Sequence, residues 1–204
     1  MSSSPKLPLA PCVLALDPAT TTGWAVFALH KDGDGITKCA CLEAWGHYKV
    51  CTTSLHQGDW CLDNEASLDA VLDAYKNRIE HAFVEDYFFA SQRCNGSPIN
   101  VKFRAVVEMC LRRRDIPYTM ITPMSWFAFV VGRVKARTTT AARKKLTRDA
   151  VRGKYGMDCI PEKEGRRLMP YDVFDAVGIA IYGLLQRIPG VRILPPPMQC
   201  PPMP

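Results

Sequence analysis

Carboxylates stand at the ends of two apolar runs in the N-terminal half of the chain. Asp17 closes the run of residues 13–16, and Glu85 closes the run of residues 82–84. Unbroken apolar runs of this kind predict buried strands. If the two strands are parallel neighbours, Asp17 and Glu85 lie side by side at one edge of the sheet.

A second pair of carboxylates lies near the C-terminal end, where Asp172 and Asp175 are three residues apart in a predicted helix. Such residues project from one helix face. Their neighbours are the apolar Val173, Phe174 and Val177. Acids on a packing face repel one another and lose solvation, unless a cation lies among them.

Four converging carboxylates offer the hard oxygen ligands that Mg²⁺ prefers, with Mn²⁺ as a substitute. With two ions in such a site, one can activate a water molecule and the other can stabilise the leaving oxygen of a phosphodiester. The sequence therefore predicts Asp17, Glu85, Asp172 and Asp175 as metal ligands and catalytic residues.

Each acid also has a simpler interpretation. Asp17 before Pro18 could form a turn, Glu85 could be an exposed strand end, and Asp172 could complement the dipole of a helix N-terminus. Asp175 lies deeper in an apolar helix and is harder to explain in this way. The joint occurrence of all four favours a site.

The positive charge of the chain is concentrated in one segment. The whole chain has a net charge of +6, whereas residues 133–167 contain twelve Lys or Arg and four Asp or Glu. A localised basic zone predicts an anionic partner, first of all nucleic acid; a solvated helix face is the alternative. The cationic candidates for DNA binding are Arg133, Lys135, Arg137, Arg143, Lys144, Lys145 and Arg148.

Length and composition predict one folded domain. The 204 residues are 48% hydrophobic, which is enough for a sizeable core. Nine cysteines without framework spacing predict reduced thiols, and no apolar stretch is long enough to cross a bilayer. We therefore expect a soluble intracellular protein without membrane association, in the cytoplasm of a bacterium or of a phage-infected host.

The pattern of apolar residues predicts an α/β domain over residues 12–188, between a loose tail (1–11) and a proline-rich tail (189–204). Strands are predicted around residues 13–16, 24–28, 41–50, 82–86 and 117–123, the first three as an antiparallel meander. Helices are predicted around 68–79, 98–114, 126–132, 140–155 and 171–186, with a loop over 162–169.

Three motifs resemble the RuvC-type Holliday junction resolvases of the RNase H-like superfamily. The first is Leu16-Asp17-Pro18 followed by Thr22-Gly23-Trp24-Ala25-Val26, and the second is Phe83-Val84-Glu85-Asp86-Tyr87-Phe88. The third is Asp172-Val173-Phe174-Asp175-Ala176. Their order and spacing agree with the family over roughly residues 12–187.

The resemblance implies a five-stranded mixed sheet, three strands antiparallel and two parallel, flanked by helices on both faces. It also implies a homodimer that nicks two strands of a four-way DNA junction symmetrically, with the four acids holding two metal ions and no nucleotide cofactor. Phe88 matches a family aromatic that stacks against bases at the crossover. A core or interface aromatic is the alternative for Phe88, and Tyr87 or Phe89 could stack instead.

The chain departs from the family at two kinds of position. Ala19 replaces a usual glycine, and a family lysine falls near Phe127. A second family lysine corresponds to Arg143, Lys144 or Lys145, which the sequence does not separate.

Three other functions deserve comparison with junction resolution. A broader nuclease for forks, flaps or packaging intermediates would share the fold and metals. A non-catalytic junction-binding protein would have little reason to keep four acids in contact. An actin-like or sugar-kinase-like ATPase would need two such domains, for which the chain is too short.

Overall fold

The computed structural model of the protein describes residues 9–31, 33–50, 59–86, 98–134, 138–164 and 167–196. Numbered in chain order, the strands of its main sheet are β1 (Cys12–Asp17), β2 (Thr21–Lys31), β3 (Thr37–Lys49), β4 (Ile79–Glu85), β5 (Tyr118–Ile121) and β8 (Arg192–Leu194). The helices are α1 (Asp59–Ala74), α2 (Pro98–Arg113), α3 (Pro123–Val130), α4 (Thr140–Gly153) and α5 (Tyr171–Arg187).

The sheet is mixed, in the order β5-β4-β1-β2-β3-β8. Strands β1, β2 and β3 form the predicted antiparallel meander, while β4 runs parallel to β1 and β5 runs parallel to β4. The predicted fold class, an α/β mixed sheet, is confirmed. Its order places the ends of β1 and β4 side by side.

The predicted number of five strands is wrong, because β8 adds a sixth. Arg192–Leu194 pairs in parallel with Cys39–Cys41 of β3. This segment falls in the predicted proline-rich tail, where the prolines from Pro195 onward favour an extended chain over a sheet. Three residues between a turn and a proline run are too few to show a strand period.

Helices cover both faces of the sheet. On one face, Leu14 and Leu16 of β1 pack in a cluster with Leu68 of α1 and Val107 of α2. On the other face, Val13 and Ala15 pack in a cluster with residues of α3, α4 and α5. Every residue of β1 is buried, which agrees with its unbroken apolar run.

Two short strands, β6 (Lys163–Glu164) and β7 (Arg167–Leu168), form a separate antiparallel pair where a loop is predicted. Helix α4 begins after Thr139, whose hydroxyl accepts a hydrogen bond from the Ala142 amide, as expected for an N-cap. Within the described ranges, none of the helices combines the length and apolarity needed to cross a membrane.

Glycines stand at close contacts of helix α5 with the sheet and with helix α3. A Cβ atom on Gly23 of β2 would lie 1.9 Å from the Asp172 carbonyl oxygen. Within α5, a Cβ on Gly178 would lie 2.9 Å from the Trp126 ring, and one on Gly183 would lie 2.6 Å from the Phe83 ring. The first turn of α5, which carries Asp172, therefore rests directly on the backbone of β2.

The contact at Gly23 predicts the effect of a single added methyl group. Gly23→Ala should displace the start of α5 and destabilise the protein by about 1–3 kcal/mol, the usual cost of overpacking. Thermal unfolding should show a Tm lower by about 2–4 °C for each kcal/mol.

Gly153→Ala is the matched control, because a Cβ at Gly153, at the end of α4, would meet nothing within 4 Å. Its Tm should equal or slightly exceed that of the native chain, since alanine favours helix. Equal Tm values for Gly23→Ala and the native chain would contradict the close approach.

Candidate active site

The carboxylates of Asp17 and Glu85 meet at one edge of the sheet. Strands β1 and β4 are parallel, with Leu16 opposite Val84, so the next residue of each strand is an acid. The Glu85 carboxyl lies in hydrogen-bonding range of the Asp17 carboxyl. The predicted juxtaposition of the two strand ends is confirmed.

Helix α5 brings the other two acids to the same point. Asp17, Asp172 and Asp175 each offer a carboxylate oxygen, and these three oxygens lie within 4.8 Å of one another. Asp17 and Asp175 are each only 7% exposed. Three carboxylates from β1 and α5 thus share a space small enough for one metal ion, and Glu85 joins them through Asp17.

Burial and mutual repulsion raise the pKa values of three of these acids. The pKa of Asp17 lies well above its ordinary value because the carboxyl is desolvated and faces Glu85 and Asp172. Desolvation, followed by the charge of Asp17, raises the pKa of Asp175 in the same way. Desolvation also raises the pKa of Glu85, although hydrogen bonds from Asp17 and Trp126 oppose the shift.

Lys144 of α4 places a positive charge among the acids. Its ammonium donates a hydrogen bond to Asp172 Oδ1 and lies 3.7 Å from Asp175 Oδ2. Burial acts to lower the pKa of Lys144, but the hydrogen bond with Asp172 and the charges of the acids outweigh it, so that pKa is raised. Lys144 therefore stays protonated and partly offsets the negative charge of the cluster.

Two neutral side chains orient the acids from behind. The Trp126 indole Nε1 of α3 donates a hydrogen bond of 2.8 Å to Glu85 Oε1. The Thr147 hydroxyl of α4 is buried and donates a hydrogen bond of 3.2 Å to the Arg143 carbonyl oxygen, and the same side chain lies beside the Asp175 carboxyl, where it acts to lower that pKa. These contacts fix the carboxylates in place without neutralising them.

Sequence reasoning missed Trp126 and Thr147, and it did not separate Lys144 from its neighbours. A signal for α4 does exist in helical periodicity, because Lys144, Thr147 and Val151 fall at i, i+3 and i+7 and share one face. Val151 and Thr147 are buried, so Lys144 must face the protein as well. Trp126 gives no comparable signal, since its role depends on how α3 meets β4.

A cavity of about 180 Å³ opens beside the acids. Its lining includes Glu85, Asp175, Lys144, Phe127 and Arg143. The space thus presents carboxylates and cations to the same ligand. A phosphate bound through metal ions to the acids would also be near the two cations.

The other predicted DNA-binding cations lie in different surroundings. The Arg143 guanidinium lies 4.4 Å from the Phe127 ring centroid, in a cation–π contact. Lys145 and Arg133 are exposed. Arg148 pairs with Asp149 at 2.9 Å. Predicted Phe88, Lys135 and Arg137 lie outside the described residues, and their roles stay predictions.

The donor set fits divalent metal ions. Oxygen ligands alone, from carboxylates on separate elements, match the chemistry of Mg²⁺ or Mn²⁺. Burial first, and then repulsion from the neighbouring acids, raises the pKa values of Asp17 and Asp175, and a metal ion among the carboxylates would offset both costs of ionisation. Asp17, Asp172 and Asp175 could hold one such ion, and Glu85 could contribute to a second.

Solved structures show which fold this arrangement belongs to. Thermus thermophilus RuvC superposes with a TM-score of 0.60 at 22% identity, covering 86% of this chain and 95% of that chain. The chain has the RuvC fold. T. thermophilus RuvC in complex with a Holliday junction substrate superposes with a TM-score of 0.59 at 22% identity, covering 88% and 97%.

The resemblance to RuvC that the three motifs predict is thus confirmed for the fold, including its RNase H-like class. No protein-family model matches the sequence, and no curated protein matches it either. The roles of individual residues therefore rest on the geometry of the site.

The raised pKa of Asp17 predicts how its removal changes stability with pH. In the folded protein Asp17 binds its proton more tightly than in the unfolded chain, so its ionisation costs stability. That cost is absent below the ordinary carboxyl pKa and complete above the folded-state pKa. Without divalent ions, Asp17→Asn should stabilise the protein at about pH 8 by roughly 1 kcal/mol, or about 2–4 °C in Tm.

The gap in Tm between Asp17→Asn and the native chain should narrow as pH falls toward the ordinary carboxyl pKa, because protonation of Asp17 then removes the cost of its buried charge. Asp115→Asn is the matched control, since Asp115 is exposed at a turn with φ 53°, a conformation that asparagine tolerates. The difference in Tm between Asp115→Asn and the native chain should not change with pH in this way. A gap independent of pH would exclude the electrostatic cause.

Proposed function

We propose that this protein is a RuvC-type, structure-selective endodeoxyribonuclease that resolves four-way DNA junctions. The observation that carries the proposal is the cluster of Asp17, Asp172 and Asp175, with carboxylate oxygens within 4.8 Å, in a RuvC fold. Structural acids are seldom buried in mutual contact, because their repulsion is costly. A catalytic demand for metal ions explains that cost.

The residues present suit hydrolysis of a phosphodiester. Two Mg²⁺ ions held by Asp17, Glu85, Asp172 and Asp175 would supply an activated water and stabilise the leaving oxygen. The chain itself positions the acids: Trp126 donates a hydrogen bond to Glu85, and the Thr147 side chain lies beside Asp175. Mn²⁺ should substitute for Mg²⁺, because it accepts the same oxygen ligands.

Lys144 has two consecutive roles in this proposal. Without metal ions its ammonium offsets the charge of Asp172 and Asp175. When DNA is bound, the same ammonium can donate to a phosphate oxygen at the carboxylate cluster. Because its pKa is raised, it remains a cation at the site throughout.

The choice of DNA junctions as substrate rests on the fold and on charge. T. thermophilus RuvC has been solved with a Holliday junction substrate, and the basic residues of α4 flank the acids here. Phosphate binding by Lys and Arg explains such a surface. Two symmetric nicks require two active sites, so we propose a homodimer.

The first test removes single acids. Asp17→Asn and Asp175→Asn should each abolish cutting of a mobile four-way junction in Mg²⁺. Junction binding should persist or tighten, because a negative charge near the phosphates is removed. Gel assays of cutting and fluorescence anisotropy of binding measure the two effects, with Asp115→Asn as the active control.

A panel of synthetic DNA structures then distinguishes the substrates. Paired symmetric nicks on the four-way junction support resolution. Preferential cutting of flaps or Y-forks would instead establish the broader nuclease, and binding without any cutting would establish the non-catalytic protein. Full turnover by Asp175→Asn would refute the metal site itself.

The second test separates the neighbouring lysines of α4. Lys145→Ala should weaken junction binding and reduce the slope of log K against log salt by about one, as expected for one lost phosphate contact. Lys144→Ala should change the slope less, because its ammonium is already paired with Asp172, yet it should lose cutting.

Lys76→Ala serves as the charge-matched control for both variants. Lys76 is exposed in the turn after α1, a helix that packs on the opposite face of the sheet from α4. For Lys76→Ala, the slope of log K against log salt should equal that of the native chain. If Lys145→Ala and Lys76→Ala give the same slope, Lys145 does not contact the DNA.

A further inference from the structure

A second cavity adjoins the carboxylate cleft. It has a volume of about 340 Å³, within the usual range for small-ligand pockets, and it is lined by Met124, Ala128 and Val134 together with Phe127 and Arg143. Phe127 and Arg143 also line the cleft that contains Glu85 and Asp175. The Phe127–Arg143 pair is thus a wall shared by an acidic cleft and an apolar pocket.

Apart from Thr138, the described residues that line this pocket are apolar or cationic. Met124 is 59% exposed and Val134 is 37% exposed, so apolar surface faces the solvent at its mouth. Arg133 and Arg143 add two positive charges, and none of its described lining residues is acidic. A ligand with a flat apolar ring and a neighbouring negative charge fits this combination.

Arg143 is held with its guanidinium against an aromatic face. It lies 4.4 Å from the Phe127 ring centroid, and its Nη2 atom lies 3.6 Å from the Met124 sulfur. Phe127 is only 4% exposed, so the ring is a fixed support. Among the described carboxylates none forms an ion pair with Arg143, which leaves its charge available to a ligand.

The backbone shapes the far wall of the pocket. Helix α3 ends at Val130, and Gly132 then adopts φ 95°, which side chains rarely tolerate. Arg133 and Val134 follow this turn directly and line the pocket. The backbone conformation at Gly132 thus contributes to the shape of the pocket.

We propose that this pocket receives the DNA base next to the phosphate that is cut. The inference rests on the proposed function, since it places the phosphate at Asp17, Asp172 and Asp175. A base is joined through its sugar to that phosphate, so it must lie beside the carboxylate cleft. Planar guanidinium groups and aromatic rings are the usual stacking platforms for unstacked bases.

In this arrangement Arg143 is a specificity-determining residue with two contacts. Its charge faces the phosphates, while its plane, supported by Phe127, stacks on the base. Lysine can supply the charge but not the plane. The pocket thereby couples cutting to a base that has left its stack, as occurs at a branch point.

The test uses four-way junctions in which an abasic site replaces one nucleotide at a time around the crossover. For the native chain, an abasic site at one position next to the cut should slow single-turnover cutting in Mg²⁺ about tenfold relative to the intact junction. A loss of this size is expected when one stacked base is removed. Anisotropy in EDTA, where no cutting occurs, should show a weaker affinity at the same position.

Variants at the shared wall identify the pocket. Arg143→Lys keeps the charge but should cut the intact junction more slowly. The ratio of the cutting rates of the intact and the abasic junction should therefore fall from about ten to about one. Met124→Ala should lower this ratio only partially. Lys145→Ala removes a nearby charge outside the pocket, so it should weaken binding to both junctions and retain the tenfold ratio. Tm values confirm that each variant is folded.

Two results would overturn the proposal. One is an absence of any abasic effect in the native chain, and the other is a tenfold effect that persists in Arg143→Lys. If none of the junctions is cut, the nuclease function has failed, and the affinities in EDTA still decide whether the pocket binds a base.

Discussion

Repulsion among buried carboxylates is the constraint on which the rest of this structure depends. Asp17 and Asp175 are nearly buried, and Asp172 and Glu85 adjoin them, so their charges interact through a medium that screens poorly. The Lys144 ammonium offsets only part of that charge. Such a cluster would spread apart on a compliant scaffold. The surrounding fold must therefore be rigid enough to hold the carboxylates together against their mutual repulsion.

The rigidity comes from three different kinds of contact. Strands β1 and β4 fix Asp17 and Glu85 through parallel pairing at the centre of the sheet. Helix α5 rests on the backbone of β2, which fixes Asp172 and Asp175 relative to both strands. Helix α3 then adds the Trp126 donor to Glu85, and helix α4 packs Thr147 beside Asp175. No acid depends on a loop for its position.

The sequence was most informative where burial and chemistry coincide. Acids that end apolar runs, or interrupt an apolar helix face, are visible without a structure, and they led to the carboxylate cluster and the RuvC-like fold. The strand β8 was missed because three residues show no periodicity and prolines follow them. Helical periodicity places Lys144 on the same face of α4 as Thr147 and Val151, but only the structure shows that this face meets the acids of α5. The pocket beside Phe127 depends on how two helices and a turn meet, which no local pattern records.

The glycine contacts of α5 bear on how such a protein can change over evolutionary time. At Gly23 the spacing between helix and sheet is set by backbone atoms, which substitutions elsewhere cannot shorten. Cores tolerate exchange of side chains when total volume is kept, so most positions are free to drift while the acids hold their places. A side chain exchanged elsewhere in the core would therefore leave the start of α5, and with it Asp172, at the same distance from β2.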